Sequence, residues 1–560
     1  MTATAWMAGD GPAGLSWRAW LLVSLLAVAA LFPGITAIPV MDRDEGRYLQ
    51  ASKQMMETGD YIDIRLQDEP RYGYPAGTYW AKTASASLFG GADAPAWAYR
   101  LPSFVAGVIA VLATAWIGAR IGGPVAGVVA GVLVATSLVV AVESRTARSD
   151  ALLLATVAVA QAGLYRLTRL TDDRPAFWGA PLLFWVAHGV GVLIKGPIIT
   201  LVLVLTVAAL CLWRRDRVLL RRLRILPGLG VVALMVLPWL IAITVKAGPT
   251  YIQEAIGSSM MGKVTKGDRA HGAPPGYHLV ALFVAFWPGA LLAGAATALA
   301  WIRRREDDVR FLICWLVPTF LVFELVATKL PHYTMPTYPA LAVLSGLVVA
   351  GGFRPEGRWR WLHRAVVTLF AVVAFGLAVV PIAAPLYFGA AVSAASVAAT
   401  ALGAAALVAG LLMVRAPSFV GVVRLAVAVA LFYAVTFQAA FPRLDVFWPS
   451  RELARVVDRL EGCASKPVAI TGYAEPSSVF YLGTETGLGG PKDAADLLAG
   501  NPGCGIAVTS EPDRAAFLAA ASEIDVSVVA VETFDGFNYT RGRPVRLTVY
   551  IAEGSSLRAR

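Results

Sequence analysis

A single helix needs about twenty consecutive apolar residues to cross the hydrocarbon core of a bilayer. This chain supplies such stretches repeatedly between Ala19 and Phe441. Thirteen candidate spans can be drawn, at roughly 18–40, 101–119, 123–142, 150–166, 177–194, 197–213, 225–245, 277–302, 309–327, 335–352, 363–386, 389–414 and 419–441. Composition agrees: 57% of the residues are hydrophobic and 15% are charged, where soluble domains carry about a quarter charged residues. The first apolar run, Trp20 to Val40, is long enough to span and lacks a small-residue cleavage site, so it is expected to be helix 1 rather than a signal peptide. The expected fold is an all-α polytopic membrane domain, residues 1–441, followed by a small extramembrane α/β domain, 442–560.

The net charge of +11 would suggest nucleic acid in a soluble protein. Here most of the excess lies in short loops between apolar segments, which is how topology is set, and no nucleic-acid partner is expected. With the N-terminus in the cytoplasm, the inner loops take Arg120, Arg166, Arg169, the run from Arg214 to Arg224, Arg303 to Arg305, and Arg354 to Arg364. An odd number of spans then places the tail outside. That tail alternates β-type runs (467–471, 505–509, 526–531, 545–551) with helical ones, which argues a small α/β domain. Cys463 and Cys504 fall within it, and an oxidising exterior permits a disulfide between them. Cys211 and Cys314 read as small buried hydrophobes.

The outer face then collects the loop 41–100, the turn 143–150, the turn at Lys195, the loop 246–276 and the turn 328–333. Four polar groupings stand out there. Directly after helix 1 come Asp42, Arg43, Asp44, Glu45, Arg47 and Tyr48; on a helix starting near Asp44, Arg47 and Tyr48 share its face one turn on. Plain helix capping by Asp42 or Asp44 is the bland alternative. Glu143, Arg145, Arg148 and Asp150 lie between apolar spans, where charges must pair structurally or line a wet cavity. Lys329, His332 and Tyr333 surround Pro331 and suit an anionic headgroup, or an interfacial anchor. His271 and His278 follow Lys263, Lys266, Asp268 and Arg269; they lack tight metal-ligand spacing, and phosphate binding or proton handling suits them equally.

Taken in order, these segments resemble the membrane glycosyltransferases that take a sugar from a polyprenyl-phosphate carrier. These include the protein O-mannosyltransferases and the lipid A aminoarabinose transferase, within the GT-C superfamily. The resemblance rests on Asp44 to Tyr48, Glu57 to Tyr61, Gln67 to Pro75 and Tyr79–Trp80. It continues through Glu143 to Asp150, Lys195 to Pro197, His271 to Gly276, Phe286 to Pro288 and Lys329 to Pro336, and so covers roughly residues 18–350. It implies a bacterial cytoplasmic-membrane enzyme with its tail in the periplasm. Its substrates would be a polyprenyl-phosphate sugar donor and a lipid or envelope-glycan acceptor, with a protein acceptor as the alternative. Asp44, with Glu45 beside it, maps to the acid of the reaction centre, and Asp150 to a second acid. The donor phosphate would meet Arg47, Arg71, Tyr74, Lys82, Arg145, Arg148, Lys195, Arg269, His271, Lys329, His332 and Tyr333. A divalent metal ion is a possible cofactor, for which Asp44, Asp150 and His271 are the candidate ligands. One departure stands out: where family members commonly carry a lysine before the first-loop proline, this chain has Tyr74 before Pro75. Tyrosine can hydrogen-bond a phosphate without neutralising it, which leaves the charge to Arg71, Lys82 or Arg148.

Two other classes compete. A secondary transporter would place its ionisable residues near the bilayer midplane on broken helices, whereas these sit at span ends. A non-catalytic lipid-binding protein would scatter Asp44, Asp150 and Lys329; an enzyme would gather them around one cavity.

Overall fold

A computed structural model describes residues 6–10, 14–171, 174, 176–254, 272–415 and 417–559. The chain is a helical bundle to about residue 443, followed by a small domain built on a five-stranded sheet. Among the described residues, six helices are long and apolar enough to cross a membrane. These are Ala96–Thr136, Asp150–Thr168, Ile225–Ala247, Arg358–Tyr387, Ala394–Val414 and Phe419–Arg443. Each of the thirteen expected spans falls on helix, but several are shorter or broken.

The helix over Trp17–Leu31 gives way to turns at Pro33 and Gly34, well before residue 40. Such helices of 15 to 17 residues, Ala180–Lys195 and Ile198–Arg214 among them, rise roughly 25 Å at 1.5 Å per residue, less than a ~30 Å core. The segment 277–302 is not one straight helix: Tyr277–Ala285 and Gly289–Ile302 meet at 120°. Pro288 stands at that break, and it has no N–H to continue the ladder. Conversely, Ala96–Thr136 contains two expected spans. Gly123 (φ 78°) interrupts it ahead of Pro124, and glycine alone adopts that conformation without strain. The two halves pack closely, since a Cβ on Gly127 would lie 2.6 Å from the Ala115 carbonyl oxygen.

The outside of the bundle is as apolar as its core. Leu226, Leu234 and Val245 project from one long helix and Phe375 and Leu386 from another, all largely exposed. A helix that is hydrophobic all round has to be covered, here by lipid. Inside, Trp287, Trp315, Phe311 and Tyr338 are fully buried.

The first long loop, residues 41–100, folds into a helix, Asp44–Thr58, a two-residue hairpin pairing Arg65–Leu66 with Glu69–Pro70, and a second helix, Gly77–Ser87. Gly59 in the left-handed region ends the first helix. Tyr48, Tyr72 and Tyr79 pack with Trp239 and Tyr251, fastening the loop to the long apolar helix Ile225–Ala247.

In the tail, the strand order is Gly487–Gly489, Val468–Thr471, Ile506–Ser510, Arg543–Ala552, Val528–Asn538. The first three are parallel and the last two pairings antiparallel. Val468–Thr471 is buried throughout, as a strand covered on both faces must be. Cys463 and Cys504 are joined in a disulfide, Cα atoms 5.9 Å apart. The tail grips the first loop through polar contacts. Tyr481 OH accepts from Val40 N at 2.9 Å, Tyr539 OH from Asp42 N at 2.5 Å, and the Arg43 guanidinium donates to the Thr540 carbonyl.

Candidate functional site

Six separate segments, one of them contributing Glu254 alone, enclose a cavity of about 980 Å³. Arg43, Asp44 and Arg47 come from the start of the first-loop helix; Arg71, Gly73 and Tyr74 from the chain after its hairpin. Glu143 and Arg148 come from the turn between two bundle helices, and His332 and Tyr333 from the turn before Tyr338–Ala350. The remaining wall is apolar, built from Val139, Val142, Val280 and Val284. Polar residues therefore face a lipid-like surface across one space, a shape suited to an amphipathic ligand.

Arg148 organises the carboxylates. Its Nη1 donates to Glu143 Oε1 at 2.8 Å and its Nη2 to Asp44 Oδ2 at 3.3 Å. The two acids differ in access: the Asp44 side chain is 48% exposed and that of Glu143 2%. Asp44 can therefore meet a ligand, while Glu143 holds Arg148 from behind. Glu143 Oε2 is buried without a hydrogen-bond partner among the described residues. Behind this pair, Lys195 Nζ lies 2.5 Å from Asp150 Oδ1. His332 spans the two pairs, its Nδ1 3.8 Å from Glu143 Oε1 and its Nε2 3.6 Å from Asp150 Oδ1. Burial drives the His332 imidazole down to about 3 against the pull of Asp150, with Arg148 and Lys195 reinforcing the shift. The ring is therefore neutral at physiological pH.

Of the residues singled out from sequence, Asp44, Arg47, Arg71, Tyr74, Arg148, His332 and Tyr333 line the cavity. Asp150 and Lys195 are paired behind its wall. Four others point elsewhere. Glu45 is buried in a bidentate pair with Arg100, at 2.8 and 2.9 Å, and accepts from Ala147 N at 2.8 Å. The helical turn that aims Asp44 at the cavity turns its neighbour inward. Arg145 is fully buried, donating to the carbonyls of Ala30, Pro33 and Ala141 with its guanidinium over Phe437, so it ties helices together. Lys82 Nζ donates back to Thr78, 2.6 Å from its hydroxyl, and lies over the Tyr48 ring. Burial lowers this amine to about 7. Lys329 Nζ donates to the Val326 carbonyl at 2.7 Å and does not line the cavity. Arg269 and His271 lie outside the described residues.

The capping alternative for the first loop is not realised. Arg43 occupies the cap position with no side-chain capping bond, and Asp42 is engaged by Tyr473 and Ser477 of the tail. Arg43 and Glu143, which stand in the sequence's polar groupings without an assigned role, line the cavity, as does Glu254, which the sequence did not point to. The signal for Glu143 was available: an acid at the end of an apolar run, five residues before Arg148. Among the described residues, no group of three or more His, Cys, Asp or Glu side chains is placed to hold a metal ion.

Residues 35–248 match the model of the family described as dolichyl-phosphate-mannose-protein mannosyltransferase. Curated relatives include the undecaprenyl phosphate-alpha-4-amino-4-deoxy-L-arabinose arabinosyl transferase of Pectobacterium carotovorum, 26% identical over 372 residues, 63% of this chain and 65% of that one. The protein of the same description from Pseudomonas aeruginosa is 28% identical over 309 residues, 54% of each chain. The match thus takes in a little under two thirds of the length of the first of these relatives. Among solved structures, ArnT from Cupriavidus metallidurans bound to undecaprenyl phosphate superposes with a TM-score of 0.72 at 20% identity, over 95% of this chain and 98% of that one. The Archaeoglobus fulgidus oligosaccharyltransferase gives 0.51 at 12% identity, over 92% and 68%. The chain thus shares the fold of the Cupriavidus metallidurans protein over nearly its whole length, and resembles the undecaprenyl phosphate aminoarabinosyl transferases in sequence.

Proposed function

We propose that this protein transfers a glycosyl group from a polyprenyl-phosphate donor to a hydroxyl or phosphate of a lipid or envelope-glycan acceptor. The observation that carries the reading is the single cavity in which an accessible carboxylate, Asp44, faces Arg47, Arg71 and Arg148 across from an apolar wall. The names of the relatives, undecaprenyl phosphate aminoarabinosyl transferases, support the same class. Residues 1–441 would form the transferase unit and 442–560 a periplasmic unit closing over its first loop, with the N-terminus cytoplasmic. The one-sided arginines support that orientation.

The donor's polyprenyl chain would lie along Val139, Val142, Val280 and Val284, and binding there would supply energy remote from the reacting bond. Its phosphate would meet the Arg71 and Arg148 guanidinium groups, whose planar forks match phosphate oxygens. Tyr74, in the place of the missing lysine, would add a hydrogen bond and no charge. As the anomeric carbon–phosphate oxygen bond breaks, the bond to the acceptor oxygen forms on the opposite face, giving inversion. Asp44 takes the acceptor's proton, and the carrier leaves as polyprenyl phosphate without needing an acid. The two arginines stabilise the negative charge gathering on that leaving group.

The test is mass analysis of envelope lipids from cells with and without the protein, and with Asp44→Asn. A sugar-bearing lipid that depends on the protein and disappears with Asp44→Asn is the expected result. Unchanged lipids beside a lost glycoprotein would move the acceptor to protein. No protein-dependent glycan of either kind would sink the reading.

A further inference from the structure

The segment after Tyr338–Ala350 packs Arg354, Arg358, Arg360 and Arg364 into eleven residues with one acid, Glu356. Such a run at a span end is ordinarily a topology signal, but here it folds around a second cavity of about 250 Å³. Arg354, Arg360, His363 and Arg364 line it on one side, and Leu291, Val348 and Met413 are among the apolar residues on the other. This volume is several times the ~30 Å³ share of a water molecule. The cavity lies at the far end of the helix Tyr338–Ala350 from the site above: that helix follows Tyr333 and leads to Val348.

Its charge is uncompensated. No carboxylate lines it, and Arg354, Arg360 and Arg364 have no ion-pair partner among the described residues. Elsewhere on the arginine-rich face some arginines are paired, Arg303 with Glu306, Arg310 and Arg214 with Asp307, and Arg169 with Asp308; what sets this group apart is that three arginines and a histidine line one cavity. The His363 Nδ1 is buried with no hydrogen-bond partner among the described residues. The helices that bound the cavity also carry apolar surface that lipid must cover: Leu411 and Leu412 are exposed on one and Val372 and Phe375 on another.

We propose that this cavity binds the phosphate headgroup of an anionic phospholipid from the leaflet at the arginine-rich face. The arginine forks and His363 take the phosphate oxygens, and the acyl chains continue along the exposed leucines. Basic pockets between membrane helices are suited to such headgroups. Guanidinium groups hold phosphate through paired hydrogen bonds that a lysine cannot reproduce. The proposal stands apart from the sugar-transfer reading and uses none of its residues.

The experiment is native mass spectrometry and thermal melting of the detergent-purified full chain, titrated with phosphatidylglycerol, phosphatidylethanolamine or inorganic phosphate. Wild-type protein is expected to retain one phosphatidylglycerol preferentially and to melt higher with it. The triple variant Arg354→Gln, Arg360→Gln, Arg364→Gln should bind it about a hundredfold more weakly, from the general strength of basic groups at an anionic surface. A control triple, Arg217→Gln, Arg221→Gln, Arg305→Gln, removes the same charge from the same face outside the cavity and should bind as wild type does. Equal loss in both triples would overturn the site in favour of diffuse surface charge. An equal thermal shift with inorganic phosphate alone would overturn the lipid as occupant. If the glutamine triple does not fold, Arg354→Lys, Arg360→Lys, Arg364→Lys keeps the charge and removes the fork. It should bind several-fold more weakly, and unchanged binding would reject the headgroup geometry.

Discussion

Asp44 and Glu45 are adjacent in the sequence and opposite in circumstance: one faces the cavity, half exposed, and the other is sealed against Arg100. Replacement separates the roles. Asp44→Asn should lower transfer by about 10²–10⁴-fold with a stability change of about 1 kcal/mol or less, because its pairing with Arg148 is partly solvated. Glu45→Gln should do the reverse. It leaves Arg100 buried and unpaired, at about 3–5 kcal/mol, while the correctly folded fraction keeps its turnover. Melting temperature and turnover per folded molecule check both; a stable, inactive Glu45→Gln would return that residue to the chemistry. Arg148 allows a sharper measurement. Arg148→Gln strands the buried Glu143 carboxylate and should destabilise by about 3 kcal/mol or more, whereas adding Glu143→Gln should restore most of that loss. Activity should stay low in both, because the guanidinium beside Asp44 is gone from each. Recovery of activity together with stability would make Arg148 a packing residue only.

At the scale of elements, the tail strands and the first-loop helix meet at Asp42. Its carboxyl accepts from Tyr473 OH at 3.2 Å and from the Ser477 hydroxyl, and Tyr539 holds its backbone N–H. Burial raises this carboxyl to about 7, with nearby Glu475 adding to the rise and the Ser477 hydrogen bond opposing it. The folded value lies above the unfolded one, so the folded state binds the extra proton. Stability from this group is therefore complete below about pH 4 and is lost as pH rises through about 7. Between about pH 4 and 7 the docked tail should loosen by up to about 1.4 kcal/mol per pH unit, levelling off above 7. Protease protection of the first loop across that range should fall in wild type and stay flat in Asp42→Asn. A flat wild-type profile would remove Asp42 as the titrating group. The sequence showed Asp42 only as one of three acids after helix 1. What singles it out is Tyr473, Ser477 and Tyr539, more than 400 residues away, and local spacing carries no trace of such a contact. The hairpin at Gly123 was hidden for a related reason: apolar runs on either side read as two spans, but their close approach depends on Gly118 and Gly127 facing each other.

Across the whole molecule, what was legible was what periodicity and charge encode: the apolar bundle, the α/β tail, and the gathering of polar residues at one end. Asp44, Arg71, Arg148 and His332 do share one cavity. Which way each side chain turns was not legible, because Glu45 and Arg145 differ from their cavity-lining neighbours only by rotation about a helix. Nor could the sequence show that the tail holds the loop that carries Asp44. Val40, Asp42, Arg43, Gln50, Glu57 and Gln67 all bond to residues between 473 and 540. These contacts bracket Asp44 on both sides along the chain, so the tail fixes where the cavity-facing carboxylate stands. A chain truncated after Phe441 retains every apolar helix and should still insert. Its first loop loses these anchors, and a 1 Å displacement of a reacting group is enough to cost about a hundredfold in rate. Membranes carrying residues 1–441 should therefore show normal insertion, rapid cleavage within 41–75 by added protease, and sugar transfer reduced by about a hundredfold or more. Transfer within threefold of wild type from the truncated chain would show that the bundle alone positions Asp44, and that the tail's hold on the loop serves some other purpose.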